Sequence, residues 1–536
     1  RQVSKYTGRK EEFTMWAYES VFYQIYPLGF VGAPFENDGV ETHRILKVLD
    51  WIDHIKKLGA NAIYFSPVFE SDTHGYNTRD YRKIDCRLGS NEDFKQVCDK
   101  LHSEGIRVVL DGVFNHAGRG FWAFQDVLKN RENSPYLNWF HINLGGNSNY
   151  NDGLWYEGWE GNYDLVKLNL QNEEVVQYLL ESVRGWVDEF DIDGLRLDVA
   201  YCLDENFVRR LRSFCDSLKP DFFLVGEMLH GDYNRLMNDS MLHSATNYEC
   251  YKGLYSSFNS MNMFEIVHSL LRQFGPENWT LYKGKHLLSF VDNHDVTRVA
   301  SILTNEKHLP LIYALMFGMP GIPCVYYGSE WGAKGEKSQG DPALRACFDG
   351  PQTNGLTEWI AKLAEAKKQF DVNFFGCFIC SKNVIKYMRL QGGGRIVNLS
   401  SLAAPLAIPF QAFYSASKAA VNSLTLALAN EVRPFNIKVC AVMPGDVKTG
   451  FTAAREKNTA GDEFYGETLK RAVAGMERDE QNGMSPDDIA DAVYAAATKA
   501  RPKLLSTKGA KYHLFLALSK ALPVSLVNII VGKLYS

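Results

Sequence analysis

At 536 residues the chain exceeds what one ordinary core fills, so two or more domains are expected. Hydrophobic residues make up 46% and charged residues 23%, which excludes a disordered chain and fits a globular one. A net charge of −5 with no long basic run argues against nucleic acid or an anionic membrane surface as the main partner.

The opening, RQVSKYTGRKEEFTMWAYES, has no apolar core and does not read as a signal peptide. The ten cysteines follow no spacing of a disulfide framework or a zinc site, so a reduced, cytoplasmic setting is expected. From Val21 onward, short apolar runs alternate with helical patterns. Eight runs read as strands, starting at Val21, Asn61, Ile106, Ile192, Asp221, Ser244, His286 and Gly321. Between most of them lie amphipathic stretches such as ETHRILKVLDWIDHIKKLG and NEDFKQVCDKLHSEG, with apolar residues at helical spacing and a closing Gly. Eight alternations predict an α/β fold, a parallel (β/α)8 TIM barrel.

An insertion after the third strand, residues 117–170, is rich in Trp, Tyr, Asn and Gly, and its length predicts a small lid domain. LTEWIAKLAEAKK, from Leu356, reads as the eighth barrel helix. Near Lys368 the pattern changes without a linker into a further αβαβ run. The expected domains are a barrel over 1–116 and 171–368, a lid over 117–170, and a partial Rossmann-like αβα module over 369–536. Cys377 and Cys380, in an apolar helical stretch, read as a buried structural pair. The apolar tail from Lys511 is interrupted by Lys520 and Pro523, so it reads as a packed helix pair rather than a membrane span.

In a parallel barrel, reactive groups sit where strands end. Asp198 ends GLRLD, Glu227 ends FFLVGE, Asp295 ends LLSFVDNHD, and Asp111 and His116 flank the end of the third strand. Several acids converging with His and Arg on one rim point to chemistry rather than capping. Glycosidic cleavage needs an ionised carboxylate and a protonated one. Arg196 precedes Asp198 by two residues on the same strand face, so it is expected to hold the Asp198 pKa low. Apolar burial is expected to raise that of Glu227, and Asp295 could favour developing positive charge.

These segments, DGVFNH, GLRLDVA, VGE and FVDNHD, with HGYNTRDY and GDPALR, resemble the α-amylase family of glycoside hydrolases over residues 15–368. The resemblance implies a retaining hydrolase of α-1,4-glucosidic bonds in α-glucan oligosaccharides. Asp198 would be nucleophile, Glu227 general acid and base, and Asp295 transition-state stabiliser. It implies that His116 and His294 contact the sugar at the cleavage site and that Arg196 orients the nucleophile, with Asp111 among the substrate-binding residues. Tyr76 would stack on that sugar, and Asp341 and Arg345 would hold the glycone side. No cofactor is required by this reading. Asn115 and the insertion lie where many members hold a structural calcium, with the rest of the ligand set open. YDLVKLNL, from Tyr163, resembles the neopullulanase and cyclomaltodextrinase branch, a pointer toward short glucans or cyclodextrins. The N-terminal β domain usual in that branch is not expected here, and other sequence stands in place of the family's C-terminal antiparallel β domain.

Residues 370–536 resemble the C-terminal part of a short-chain dehydrogenase/reductase through Ser401, Tyr414 and Lys418, with Asn373 at a relay position and PGDVKT beside the nicotinamide site. Tyr414 and Lys418 share a helix face, and the lysine is expected to lower the tyrosine pKa. No strand, Gly-rich turn and helix precede Asn373, so the NAD(P) site is missing its pyrophosphate half. The strand RIVNLSS should then be an exposed edge, inviting self-association. Two other readings stay open: an NAD(P)-dependent oxidoreductase completed by another chain, and an inactive mosaic.

Overall fold

The computed structural model describes residues 15–450 and 462–534. The chain divides into two compact units, Arg1–Ala364 and Glu365–Ser536.

The first unit contains all eight strands expected from the sequence. They are β1 (Phe22–Ile25), β2 (Ala62–Phe65), β3 (Arg107–Gly112), β4 (Gly194–Leu197), β5 (Phe223–Gly226), β6 (Ser244–Ala245), β7 (Leu288–Ser289) and β8 (Ile322–Tyr326). They pair in parallel in the order β6-β5-β4-β3-β2-β1-β8-β7. A parallel bridge between Thr246 and Leu288 closes the ring from β6 to β7.

Side chains on these strands alternate with period two. Tyr23, Ile25, Ile63, Phe65, Val108, Leu110, Leu195, Leu197 and Leu224 belong to the large core shared with the surrounding helices. Phe22, Ala62, Val109, Phe223, Val225, Ile322 and Cys324 form a separate cluster inside the barrel. The inward register that places those apolar residues then continues toward the C-terminal ends as Gln24, Tyr64, Asp111, Arg196, Asp198 and Glu227, all buried. Thus one alternation fills the lower barrel with hydrocarbon and its upper end with polar groups.

Caps place the outer helices. Ser90 and Asp93 form a capping box at Asn91–Ser103, while Asn172 and Asp204 cap Glu173–Phe190 and Glu205–Leu218. The first helical stretch departs from expectation. It is a 3₁₀ helix over Arg44–Trp51 before an α-helical Ile52–Lys57. Its buried residues, Ile45, Val48 and Trp51, recur every third position, and 3₁₀ geometry aligns that spacing on one face.

Residues 117–170 form a folded insertion. His116–Gly118, Asn162–Lys167 and Gly158–Trp159 make a three-stranded antiparallel sheet beside the helix Trp122–Asn130. Phe121, Phe124, Phe140, Tyr156 and Val166 join the barrel's outer core.

The second unit holds a parallel sheet in the order β9 (Gly394–Leu399), β10 (Ile437–Val442), β11 (Leu505–Ser506). β9 is an edge strand, in line with a missing neighbour. The cores on this sheet are small: Ile396, Ala429, Val432, Ile437 and Val439 on one, Cys440, Val442 and Ala496 on the other. The helix Gly355–Phe370 is followed directly by a π-helical turn, Asp371–Phe375, and the helix Gly376–Leu390. That last helix buries Ser381 and packs Val384, Ile385 and Met388 on the sheet, which leaves Cys377 half-buried and Cys380 exposed. The expectation of a buried cysteine pair is therefore corrected. The tail forms the two helices Ala510–Ala521 and Val524–Leu534, of whose side chains only Tyr512 and Val531 are buried. Among the described residues, no helix is long and apolar enough to cross a membrane.

The contrast in core size predicts unequal resistance to unfolding. Thermolysin applied to the full chain should cleave within residues 365–536 while a barrel-sized fragment persists, as read by mass spectrometry over time. Simultaneous loss of both units would contradict this.

Candidate active site

The site is built at the ends of β3, β4 and β5. Parallel ladder bonds hold the two strand-end acids: Asp198 N–H donates to Gly112 O at 3.1 Å and Glu227 N–H to Leu197 O at 2.9 Å. Arg196, one inward position below Asp198, sits among three carboxylates. Its Nη1 donates to Asp111 Oδ1 and Asp198 Oδ1, each at 2.9 Å, and its Nη2 lies 2.8 Å from Glu227 Oε1. Burial opposes the guanidinium's charge, but Asp111 and Glu227 hold its pKa well above the usual arginine value.

One cation divided among three acids cannot neutralise them all. Burial first, with Glu227 and Asp111 adding to it, pushes the Asp198 carboxyl well above its ordinary value against the pull of Arg196. This reverses the sequence expectation for Asp198. Arg196 does not serve Asp198 alone, since it also holds Asp111 and Glu227.

Glu227 is fixed from three sides. Its Oε2 accepts the Val199 N–H at 3.0 Å, and its Oε1 faces Arg196 and, at 3.4 Å, the Tyr248 hydroxyl. Val199 stands at φ 39°, ψ 47°, a left-handed conformation that a β-branched residue rarely adopts. That conformation accompanies the hydrogen bond from the residue after Asp198 to the neighbouring acid.

Asp295, beyond β7, is bound on both oxygens: Arg345 Nη2 lies 2.9 Å from Oδ1 and His294 Nε2 lies 3.0 Å from Oδ2. Burial disfavours its charge, but His294 and Arg345 outweigh burial and hold the carboxyl well below the usual range. Arg345 Nη1 also pairs with Asp341 Oδ2 at 2.9 Å, so Asp341, Arg345 and Asp295 form one chain of charge.

The Gln24 amide lies 2.8 Å from His294 Nδ1, leaving Nε2 to face Asp295 and the Tyr76 hydroxyl. The Asn115 amide lies 3.1 Å from His116 Nδ1. Burial pushes the His116 pKa down to about 3, so the ring is neutral. Its Nε2 is buried without a hydrogen-bond partner, 3.7 Å from Asp198 Oδ2. A ring nitrogen left open beside a carboxylate is suited to a ligand hydroxyl. Tyr76 also donates to Asp111 at 3.1 Å, and its ring stacks on His294 with centroids 5.6 Å apart.

The structure thus brings Tyr76, Asp111, His116, Arg196, Asp198, Glu227, His294, Asp295, Asp341 and Arg345 into one connected network. Sequence reasoning missed Gln24, Tyr64, Tyr248 and Val199. Tyr64 donates to Asp111 at 2.8 Å. A polar residue inside an apolar strand run was the available signal for Gln24.

At Asn115, the position the resemblance offers to calcium, the amide nitrogen is turned to His116 Nδ1 at 3.1 Å. Among the described residues, the one group of three or more acidic, His or Cys donors close enough to share an ion is Glu70, Asp85 and Cys86. Asp85 there is bound by Arg87 at 2.7 Å, and Glu70 by the Cys86 N–H and Asn37.

In the second unit, Lys418 Nζ donates to Leu399 O at 3.1 Å and Asn373 to Ser417 Oγ at 3.1 Å. Burial raises the Tyr414 pKa, with Ser401 hydrogen-bonded to it and lowering it, and burial lowers that of Lys418. The expected lowering of Tyr414 by Lys418 is not found, because the ammonium is turned to the strand-end carbonyl.

A closed parallel barrel carrying three strand-end acids around one arginine defines a carboxylate-based barrel site. The family model for the alpha amylase catalytic domain matches residues 24–372, and the chain belongs to that family. A short chain dehydrogenase model matches residues 356–460, overlapping the first. An intracellular maltogenic amylase of Bacillus subtilis (strain 168) is 32% identical over 376 residues, covering 66% of this chain and 62% of that protein. A cyclomaltodextrinase of Bacillus sp is 31% identical over 410 residues, covering 70% of this chain and 71% of the relative. Among solved structures, cyclic alpha-maltosyl-(1→6)-maltose hydrolase from Arthrobacter globiformis matches at TM-score 0.57 and 29% identity, over 66% of this chain and 84% of that one. A cyclomaltodextrinase structure matches at TM-score 0.58 and 30% identity, over 66% and 63%. The chain therefore spans about 62% of the length of the maltogenic amylase it matches.

Removing Arg196 leaves three buried acids without their cation. Arg196→Met should destabilise the barrel by about 3–5 kcal/mol at pH 8. Lowering the pH to 5 lets carboxyls protonate, so the gap in denaturation midpoint from the parent should narrow. An equal gap at both pH values would refute the shared-cation account.

Proposed function

We propose that the barrel hydrolyses α-1,4-glucosidic bonds in short maltooligosaccharides or cyclodextrins, with retention of anomeric configuration. The observation that carries this reading is the pairing of Asp198 and Glu227 on the two terminal nitrogens of one guanidinium. That arrangement favours the short carboxyl separation of a retaining pair, about 5 Å, over the wider inverting gap. The names of the matched maltogenic amylase and cyclomaltodextrinase support the substrate class.

In the first half-reaction the Asp198 carboxylate attacks the anomeric carbon. The glycosidic C–O bond breaks as Glu227 gives its proton to the leaving oxygen. A glycosyl ester on Asp198 results. In the second, Glu227 takes a proton from water, whose oxygen displaces Asp198 and releases the sugar. Asp295, kept ionised by His294 and Arg345, favours positive charge on the ring. His116, His294, Tyr76 and the Asp341–Arg345 pair hold the sugar at the cleavage site. This chemistry needs no cofactor and is not routed through calcium. The setting is cytoplasmic in this reading, supported by ten free cysteines and the intracellular relative. Self-association through the β9 edge accompanies it. The second unit is assigned no NAD(P)-dependent step, since no strand, Gly-rich turn and helix precede Asn373, and the glycines Gly392–Gly394 lead into β9 rather than following a strand.

Two measurements test the assignment. Asp198→Asn should lower kcat on maltotriose or a cyclodextrin roughly 10⁴-fold, and proton NMR of the parent's first product should show the α-anomer. Release of the β-anomer, or no release at all by the parent chain, overturns the reading.

The pH profile gives an independent check. Asp198 must be ionised, its pKa is raised, and so kcat/KM should climb with pH through a limb above the ordinary aspartate range. Asp111→Asn removes one of the charges that raise Asp198 and frees part of Arg196. Both effects lower the Asp198 pKa, so the acid limb should move to lower pH. A limb moving upward would contradict the charge sharing.

A further inference from the structure

On the outer surface of the barrel, the helix Phe264–Phe274 has part of its polarity reversed. It turns Ile266, Ser269 and Gln273 inward, and the Gln273 amide exchanges hydrogen bonds of 2.9 and 3.0 Å with that of Asn247. Its outward face carries Phe264, Val267, His268 and Leu271, spaced three and four apart, so they form one stripe. The Phe264 and His268 rings stack on that face with centroids 6.0 Å apart. The charges beside the stripe are committed within the chain. Glu265 lies 3.3 Å from Lys252 and accepts the Ser256 hydroxyl, and Arg272 pairs with Glu249 at 2.6 Å.

The apolar surface continues past both helix ends. Met261 and Met263 precede Phe264. Trp279 stands in the turn whose next residues, Leu281 and Tyr282, donate to the carbonyls of Arg272 and Gln273. Met261, Met263, Phe264, Val267, Leu271 and Trp279 are between 40% and 74% exposed. Large side chains carry roughly 150–250 Å² each, so these six leave on the order of 600 Å² of mostly apolar surface open to water. Single exposed hydrophobics are ordinary, whereas a contiguous patch of that size marks an interaction site. A specific interface buries about 800 Å² per partner, and this patch with a polar rim reaches that area.

The order of residues along the stripe identifies the occupant. Read from either end, the helix presents a bulky apolar side chain, the central Val267–His268 step, and a second bulky apolar side chain. A second copy running antiparallel therefore sets Phe264 of one chain over Leu271 of the other, twice, about an axis between Val267 and His268. Such an isologous contact closes after two copies. A different protein would place no demand for this symmetry on the stripe. We propose that two copies of this chain pair through the barrel helix Phe264–Phe274, antiparallel, with Met261, Met263 and Trp279 at the margins of the contact. The first unit alone forms this contact, which is distinct from the β9 edge and stands whether or not the barrel hydrolyses glucans.

Sedimentation velocity of the full chain over a concentration series tests the pairing. The parent should reach twice the monomer mass, or an even multiple where β9 edges also pair. Val267→Asp sets two like charges beside the axis, so it should weaken the pairing at least about 100-fold with the circular-dichroism spectrum unchanged. Cross-linking decides should that variant misfold. Packed helices stand roughly 8–10 Å apart, which brings Cα atoms facing each other near the axis within disulfide reach. Under mild oxidation Val267→Cys should form a disulfide-linked dimer at least roughly tenfold faster than the parent or than Val40→Cys, because pairing raises the local thiol concentration. Val40 is a comparably exposed valine, at 56%, outside the patch. A monomeric parent, association untouched in a folded Val267→Asp, or equal cross-linking at positions 267 and 40 would overturn the proposal.

Discussion

A single buried cation organises the barrel's chemistry. Arg196 is almost wholly buried, and Asp111, Asp198 and Glu227 each take a hydrogen bond or ion pair from it. Taking four charged groups out of water costs far more than their pairwise attraction returns unless geometry and hydrogen bonding are complete. The completing bonds are visible: Tyr64 and Tyr76 on Asp111, the Val199 N–H and Tyr248 on Glu227. What remains uncompensated is negative charge at Asp198, and that surplus is the feature a positively charged transition state can use.

The second acid cluster has the opposite balance. Asp295 has a partner on each of its two oxygens, Arg345 and His294 Nε2, which hold its carboxyl well below the usual range. Two carboxyl groups of one cleft are thus pushed in opposite directions, Asp198 up and Asp295 down, by how cations are distributed among them. Such divergence between neighbouring acids is the electrostatic mark of assigned roles in acid–base chemistry. His116 adds a neutral polar ring to this field, with its Nε2 left open toward Asp198.

The sequence made the positions of these groups legible because a barrel strand converts period two directly into inside and outside. Leu195 and Leu197 face the helices, so Arg196 and Asp198 must face in, and the same parity carries Glu227. Charge sharing was not legible. It depends on the lateral register that sets Arg196 beside Asp111 and Val225, and local spacing carries no information about neighbouring strands. For the same reason the partners Tyr64, Gln24 and Tyr248 were overlooked, since each reaches its acid or histidine from another strand or helix. The 3₁₀ stretch Arg44–Trp51 was read as α-helix because apolar residues three apart satisfy both patterns over so short a run. The cysteine pair failed for a different reason. The helix Gly376–Leu390 turns Val384, Ile385 and Met388 to the sheet, and that facing leaves Cys377 half-buried and Cys380 exposed.

The absence of a linker between the two family patterns has a physical explanation in the helix Gly355–Phe370. Both family models include residues 356–372. An amphipathic helix ending one α/β pattern and one beginning another ask for the same thing, a narrow apolar stripe on an otherwise polar cylinder. Thr357, Ile360 and Ala364 supply the buried stripe here, with Glu358, Lys362, Glu365 and Lys368 on the remaining surface. Helical sequence continues through Asp371–Phe375 without a proline or a run of glycine to stop it. The joined patterns therefore conflict nowhere in local structure. The difficulty arises one level higher, in the sheet, where β9 has a neighbour on one side only. Continuity of a helix is a local property and survives such a junction, whereas completeness of a parallel sheet is a long-range one and does not.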